Sequence, residues 1–419
     1  MVNAKKLAHD GFVAVAKVAA KLLPDRAPIT FVGPGSVAEL AGAMKGTGVR
    51  RVLVVTDSVL REIGIVEQVT AAATDAGIDT AIYDGVTPDP TFTQVEAGLA
   101  AYRNQRCDGV LAIGGGSPID AAKVIAAAAA NGDNPRKLAG KFRVRKQPVP
   151  LFAVPTTAGT GSEVTVAAVI SDDETHRKAF VLDPKILPAM AALDPSLMTG
   201  LPAPITAATG MDALTHAIES YISKAANPQT MGYATTSVRL VFEHLRTAVS
   251  DPENIDARTG MALASYYGGL AFTRTSVGYV HAIAHNLGAK YGTPHGLANA
   301  LALPHVLEFS EAAARDRLGE LGALVGVDGS TAFIAEVRRL AADIAIPTTL
   351  DSLRPGDIDE LADLALAEAF LDYPVPRYMS KDDCVAVITN LCFLECLLEC
   401  FLTLVRFLEG VVNRNELLL

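Results

Sequence analysis

The sequence predicts two folded units in series: an α/β unit with a parallel sheet over residues 1–199, then an all-helical unit over 200–390, with an atypical leucine- and cysteine-rich tail at 391–419. Two observations carry this reading. Up to about residue 199, short apolar runs at 52–56, 80–83, 110–113 and 151–154 alternate with helical stretches, as in a parallel sheet covered by helices on both faces. From Pro202 onward the strand pattern vanishes and helical periodicity takes over, at 205–223, 230–249 and 259–272. A chain of 419 residues, half of them hydrophobic, exceeds one compact core and can bury two. The Pro-, Asp- and Gly-rich stretch 184–204 reads as the hinge, and a cleft between the units is where ligands are expected to meet.

The first strong strand ends in Asp57. A carboxylate there either accepts hydrogen bonds from a ribose diol, repelling a 2′-phosphate, or caps the next helix. The strand at 109–113 runs into Gly114-Gly115-Gly116-Ser117-Pro118-Ile119-Asp120 and then an alanine-rich helix at 121–130. Strand, glycine turn and helix N-terminus form a phosphate cradle, because glycines admit a close backbone approach and Pro118 suits the first helical position, needing no donor. It is not a GxGxxG fingerprint, so a plain structural turn stays open. The strand at 151–154 leads to a second small-residue loop, Pro155-Thr156-Thr157-Ala158-Gly159-Thr160-Gly161-Ser162-Glu163. Its hydroxyls and bare backbone suit ribose and phosphate, or again a turn.

The helical unit concentrates a different chemistry. Asp212-Ala213-Leu214-Thr215-His216 is followed by Tyr279-Val280-His281-Ala282-Ile283-Ala284-His285 and Thr293-Pro294-His295-Gly296, placing three of the eight histidines within fifteen residues. Positions four apart share a helix face, so Asp212 pairs with His216 and His281 with His285, while Pro294 breaks the helix and lets His295 return. A single histidine here reads as a hydrogen-bonded core residue; the whole set reads as a metal site. One carboxylate among imidazoles suits Fe(II) or Zn(II), whereas an all-oxygen set suits Mg(II) or Ca(II).

These blocks, together with Asp-Gly-Val-Thr-Pro-Asp-Pro at 84–90 and the run Ala208 to Glu219, resemble in order the iron-containing (group III) alcohol dehydrogenase family over roughly residues 29–383. The resemblance implies an NAD-binding α/β domain followed by an all-α metal-binding domain, the architecture shared with dehydroquinate synthase. It implies hydride transfer between a primary or small secondary alcohol, or the aldehyde or ketone, and NAD(H), with Fe(II), or Zn(II), polarising the substrate oxygen. Carried onto matching positions, it puts the metal on Asp212, His216, His281 and His295, and His285 beside the nicotinamide as the proton path. It puts Asp57 on the adenosine ribose, Gly115, Gly116 and Ser117 on the pyrophosphate, and Thr156, Thr157, Thr160 and Lys178 along the rest of the cofactor. Ala167 stands where several relatives carry asparagine and Arg274 where many carry a small or amide residue, so the substrate pocket departs from the family pattern. The alternative is an NAD- and metal-dependent lyase or cyclase of the dehydroquinate synthase type, which needs Lys and Arg converging on an anionic substrate.

A net charge of −10 argues against a nucleic-acid or anionic-membrane surface, leaving a small alcohol or aldehyde and further copies of the chain, as homodimer or higher homo-oligomer, as partners. Residues 4–23 form an amphipathic helix with Asp10 and no Arg or Ser, unlike a transit peptide. Cys107 is alone in the main body, so a reducing cytoplasm is expected. In the tail, Glu395, Glu399 and Arg406 disfavour a membrane span, at roughly 2.5–3.5 kcal/mol per charge at a bilayer centre. Cys392, Cys396 and Cys400 share one helix face and cannot surround a metal unaided, so packing or oligomer contact is their expected role.

Overall fold

The computed structural model describes residues 7–15, 26–132, 134–173 and 178–392. The expectations for Cys396, Cys400 and the charges beyond them, and for most of 4–23, lie outside the described residues. A helical segment over residues 7–15 (α1) buries His9 and Val13. The chain then runs β1 (Ile29–Val32), α2 (Ser36–Gly46), β2 (Arg51–Val55), α3 (Ser58–Glu62), α4 (Ile65–Asp75), β3 (Asp79–Tyr83), α5 (Phe92–Asn104), β4 (Gly109–Gly114), α6 (Gly116–Asn131), β5 (Gly140–Lys141), β6 (Leu151–Pro155), β7 (Ala167–Ser171), β8 (Lys178–Leu182) and β9 (Met190–Leu193). Thereafter the described residues are helical: α7 (Ala203–Ile222), α8 (Pro228–Ser250), α9 (Ile255–Thr275), α10 (Tyr279–Tyr291), α11 (His295–Leu324), α12 (Gly329–Asp343), α13 (Ile358–Ala369) and α14 (Lys381–Thr389).

Six strands form an all-parallel sheet in the order β1-β9-β6-β4-β2-β3. Every residue of β4 and β6 is buried, because helices cover both faces of the sheet centre, and this is why those strands read as continuous apolar runs. The chain builds outward from β2 to β3, then returns to lay β4 on the other side of β2. That reversal is a topological switch point, and it opens a crevice at the C-terminal ends of β2 and β4. Asp57 and the turn Gly114 to Ser117 leave the sheet at those two ends.

The structure departs from the expected fold in two places. Residues 184–204 are not only a connector: they contain β9, a strand inside the sheet between β1 and β6, flanked by 3-10 turns capped by Asp183 and Asp194. A second sheet, β5-β8-β7, has β7 antiparallel to β8. Its strands β7 and β8 carry apolar runs at 167–170 and 179–182 that the sequence reading did not assign. In the helical part, α7 is buried on all sides from Gly210 to Ile222, as the core helix around which its neighbours pack.

Lys123 on α6 is fully buried and ties the two sheets to the loop that follows β6. Its ammonium donates to Ser162 Oγ at 2.9 Å, Thr165 Oγ1 at 2.8 Å and the Ala167 carbonyl at 2.6 Å, with Asp120 Oδ1 at 3.5 Å. Asp120 in turn accepts from Ser162 Oγ and from the Val169 amide. Removing one member of a buried charged network leaves the others uncompensated. Lys123→Met is therefore expected to lower unfolding free energy by about 3 kcal/mol, measured by denaturant titration.

Candidate metal and cofactor site

Asp212 and His216 lie one turn apart on α7, and His281 one turn below His285 on α10. Gly292 in the left-handed region ends α10, and Pro294 delivers His295 as the first residue of α11. Asp212, His216, His281 and His295 each bring one donor atom to within 4.8 Å of all the others. Asp212 Oδ1 is 3.7 Å from His281 Nε2 and 3.5 Å from His295 Nε2, and His216, whose Nδ1 faces the Gly159 carbonyl, completes the set. Donors about 2.1 Å from a tetrahedral cation are roughly 3.4 Å apart, so the four fit a divalent ion with little adjustment. His285 is not in this set: its ring stacks on that of His295, with centroids 5.2 Å apart.

A shell of side chains fixes the donors. Glu219, one turn beyond His216, is buried; its Oε2 lies 2.7 Å from His281 Nδ1 and accepts from the Gly278 amide, while Oε1 accepts from the Val280 amide. With its Nδ1 proton committed to Glu219, His281 presents Nε2 to the other donors. Asn299 Nδ2 donates to Asp212 Oδ1 at 2.7 Å and lies 3.1 Å from His295 Nε2, while its own Oδ1 has no partner among the described residues. The Phe272 ring stacks on His216 with centroids 4.1 Å apart, and the Gly159 carbonyl lies 3.3 Å from His216 Nδ1.

Burial opposes the charge on Asp212, yet the three surrounding imidazoles hold its carboxyl well below the usual range. Burial pushes His216 down to about 4 despite Asp212. For His281 burial works the same way but is outweighed by the hydrogen-bonded carboxylates of Asp212 and Glu219, which lift it to about 9. His295 falls well below its ordinary value through burial, with His285, His281 and Lys178 adding to the effect.

Most of the residues expected to face a dinucleotide gather at the switch point, Lys178 on β8 excepted. Gly115 caps α6 without a side-chain bond, and Ser117 is the second residue of that helix, so Pro118 falls third rather than first. A Cβ on Gly115 would meet Thr157 Oγ1 at 3.2 Å, and one on Gly116 would meet Thr160 Cγ2 at 2.9 Å. The bare backbone thus lets the threonine loop cross directly over the glycine turn. Thr156 is buried at the end of β6, with its amide bonded to the Gly114 carbonyl. Asp57 caps α3 through Oδ1, 2.9 Å from the Leu60 amide; no hydrogen bond to Oδ2 occurs among the described residues. Lys178 on β8 pairs with Asp89 at 2.9 Å. Ala167 opens β7, and Arg274 near the end of α9 bonds Gln229.

A chamber of about 550 Å³ is lined by Thr160, Asp212 and His295 and by apolar walls that include Ile205, Leu297 and Ile346. Its shape depends on Gly296, where a Cβ would meet the Ala208 carbonyl at 2.3 Å. Four contributors went unassigned from sequence. Glu219 was within reach, seven residues after Asp212 on the same helix face. Asn299, four residues after His295, and Phe272 carried weaker signals, and Glu368, which bonds His285, carried none.

The fold sets the crevice at the sheet's switch point beside a largely buried Asp/His₃ group that could hold a metal ion. Residues 27–195 match the model of the iron-containing alcohol dehydrogenase family, and residues 206–392 match that of the Fe-containing alcohol dehydrogenase family C-terminal domain. The chain belongs to this family. It is 41% identical to 1,3-propanediol dehydrogenase of Klebsiella pneumoniae over 371 residues, covering 86% of this chain and 96% of that protein. It is 39% identical to NAD-dependent methanol dehydrogenase of Bacillus methanolicus over 374 residues, 87% of this chain and 98% of that one. Among solved structures, an alcohol dehydrogenase from Oenococcus oeni superposes with a TM-score of 0.85 at 35% identity, covering 87% of this chain and 98% of that one.

Two substitutions test the geometry. Glu219→Gln removes the charge that orients His281 and is expected to weaken divalent-metal affinity by about 10- to 100-fold in a competition titration. Gly296→Ala forces α11 away from α7 and should lower metal affinity while the donors themselves remain.

Proposed function

We propose that the protein is an NAD-dependent alcohol dehydrogenase in which Asp212, His216, His281 and His295 hold one Fe(II). The observation that carries this reading is the largely buried cage of one carboxylate and three imidazoles, of which Asp212 and His295 line a chamber that also touches Thr160. The mixed oxygen and nitrogen donors suit Fe(II) and Zn(II) alike, and the family favours iron. Bound there, the cation supplies Lewis-acid polarisation of the substrate oxygen, with NAD as hydride acceptor in oxidation and NADH as donor in reduction.

The chain's own residues do the rest. Asp57 accepts from the adenosine ribose; Gly115, Gly116 and Ser117 present backbone and hydroxyl donors to the pyrophosphate; Thr156, Thr157, Thr160 and Lys178 line the remaining path. Glu219 keeps Nε2 of His281 aimed inward, the Phe272 ring keeps water off His216, and the apolar chamber walls exclude water from the reacting carbon. His285, beside the cage but outside it, takes the hydroxyl proton in oxidation and returns it in reduction. The lyase alternative is not adopted, because Ile205, Leu297 and Ile346, rather than converging cations, wall the chamber.

Further copies of the chain are proposed partners, since edge strand β1 exposes Ile29 and Val32. A reducing cytoplasm fits Cys107 and Cys384, both buried and free thiols. No single described helix is long and apolar enough to cross a membrane.

Chelation under anaerobic conditions should abolish turnover, with ferrous iron restoring it better than zinc; full activity of metal-free protein contradicts the assignment. The pH dependence has a definite sign. His281 must lose a proton held with a value of about 9, so protons compete with the cation throughout the neutral range. Apparent metal affinity should fall about tenfold for each pH unit below that value, read by metal titration between about pH 6 and 8. For the cofactor, Asp57→Asn keeps the helix cap but removes the charge. The ratio of kcat/KM for NAD over NADP should fall severalfold in this variant, and a ratio that does not move leaves Asp57 as a cap alone.

A further inference from the structure

His285 is held by a carboxylate that the reaction chemistry does not otherwise use. Its Nδ1 lies 2.7 Å from Glu368 Oε1 on α13, and the same oxygen accepts from Tyr373 Oη at 2.6 Å. Asn286, next to His285, donates to Glu368 Oε2 at 3.3 Å. The three residues approach from two helices and the turn after α13, and His285 and Glu368 are mostly buried, their side chains 11% and 21% exposed.

The turn that returns Tyr373 to Glu368 is costly. Leu371 adopts φ 64°, a left-handed conformation that a leucine rarely takes, and it is 39% exposed, so packing of its own side chain does not explain the strain. The turn is anchored from outside: Asp372 pairs with Lys141 on β5, and the Tyr373 amide bonds the Ala369 carbonyl at 3.1 Å. A strained, externally pinned turn that delivers one hydroxyl to one carboxylate is arranged around that carboxylate.

The donor and acceptor logic admits one assignment. Glu368 Oε1 is met both by His285 Nδ1 at 2.7 Å and by Tyr373 Oη at 2.6 Å, and a carboxylate oxygen shared by two such close partners is the acceptor of both. Burial and Glu368 push the Tyr373 phenol well above its ordinary value, so it stays protonated and donates. His285 Nδ1 must then carry the proton of their bond. The Nε2 lone pair is left on the far side of the ring, which lies beside His295 and the Phe180 ring.

We propose that Glu368 is a positioning residue for turnover: it locks His285 in the Nδ1–H tautomer and leaves Nε2 bare to receive the hydroxyl proton of the alcohol. In oxidation the carbinol C–H bond breaks with both electrons passing to C4 of the nicotinamide, forming NADH and the carbonyl product. The hydroxyl proton passes to Nε2 and then to solvent, and the negative charge of Glu368 stabilises the imidazolium in between. The proposal rests on the reading of His285 as the proton path.

The test combines imidazole nitrogen NMR of Zn(II)-loaded, ¹⁵N-histidine-labelled enzyme with steady-state kinetics. The unmodified enzyme should show His285 protonated at Nδ1 and unprotonated at Nε2. Glu368→Ala should mix the tautomers and lower kcat about 100-fold, the scale of positioned acid–base catalysis, with metal content and KM for NAD unchanged. Glu368→Gln keeps an acceptor without the charge and should lose less, and Tyr373→Phe less again; these two carry the test if the alanine variant does not fold. An unchanged His285 tautomer in Glu368→Ala overturns the proposal. A mixed tautomer with full kcat also overturns it, and His285→Ala then separates the causes. A slow His285→Ala leaves His285 as the proton path and removes only Glu368, whereas a fully active one removes both.

Discussion

The buried carboxylate of Asp212 is the constraint around which the helical half is organised. An ionised group almost free of solvent contact is tolerated only if opposite charge and hydrogen bonds replace its hydration. Here three imidazole nitrogens stand within 3.8 Å and the Asn299 amide at 2.7 Å. Those neighbours come from α7, α10 and α11, so the requirement to compensate one carboxylate fixes how three helices meet. Glu219 extends the logic outward: a second buried carboxylate is satisfied by two backbone amides and His281, and it thereby sets which nitrogen faces the cage.

The loop after β6 transmits this arrangement to the sheet. Its threonines cross the glycine turn at the start of α6, the Gly159 carbonyl meets His216, and the Gly161 amide bonds Ser265 Oγ on α9 at 3.1 Å. Lys123 pins the end of the same loop from beneath. The loop after β6 and the donor cage are thus one continuous structure.

Legibility from sequence followed how local the cause was. The central strands were visible because double-sided burial makes β4 and β6 uniformly apolar, and Asp212 and His216 because i, i+4 spacing is a local signature; the same spacing paired His281 with His285, which stands outside the cage. β9 was hidden because four small or apolar residues among prolines and aspartates resemble a connector; only its neighbours in the sheet make it a strand. In the β5-β8-β7 sheet, β5 was hidden because it is two residues long, whereas the apolar runs of β7 and β8 were legible and were passed over. Glu219 was readable in principle, two turns from Asp212. Glu368 was not, because 83 residues separate it from His285 and only the docking of α13 against α10 brings them together. Asp57 shows a limit of motif reading: one oxygen does cap a helix, and capping leaves the other available for a ribose.

The most direct test of the central claim is a crystal structure of anaerobically prepared, iron-loaded protein with anomalous data collected at the iron edge. A single strong peak about 2.0 to 2.3 Å from one oxygen of Asp212 and one nitrogen each of His216, His281 and His295, with His285 standing off, is the predicted result. A peak bound by His285 in place of one of these, or iron located outside the cage, contradicts it.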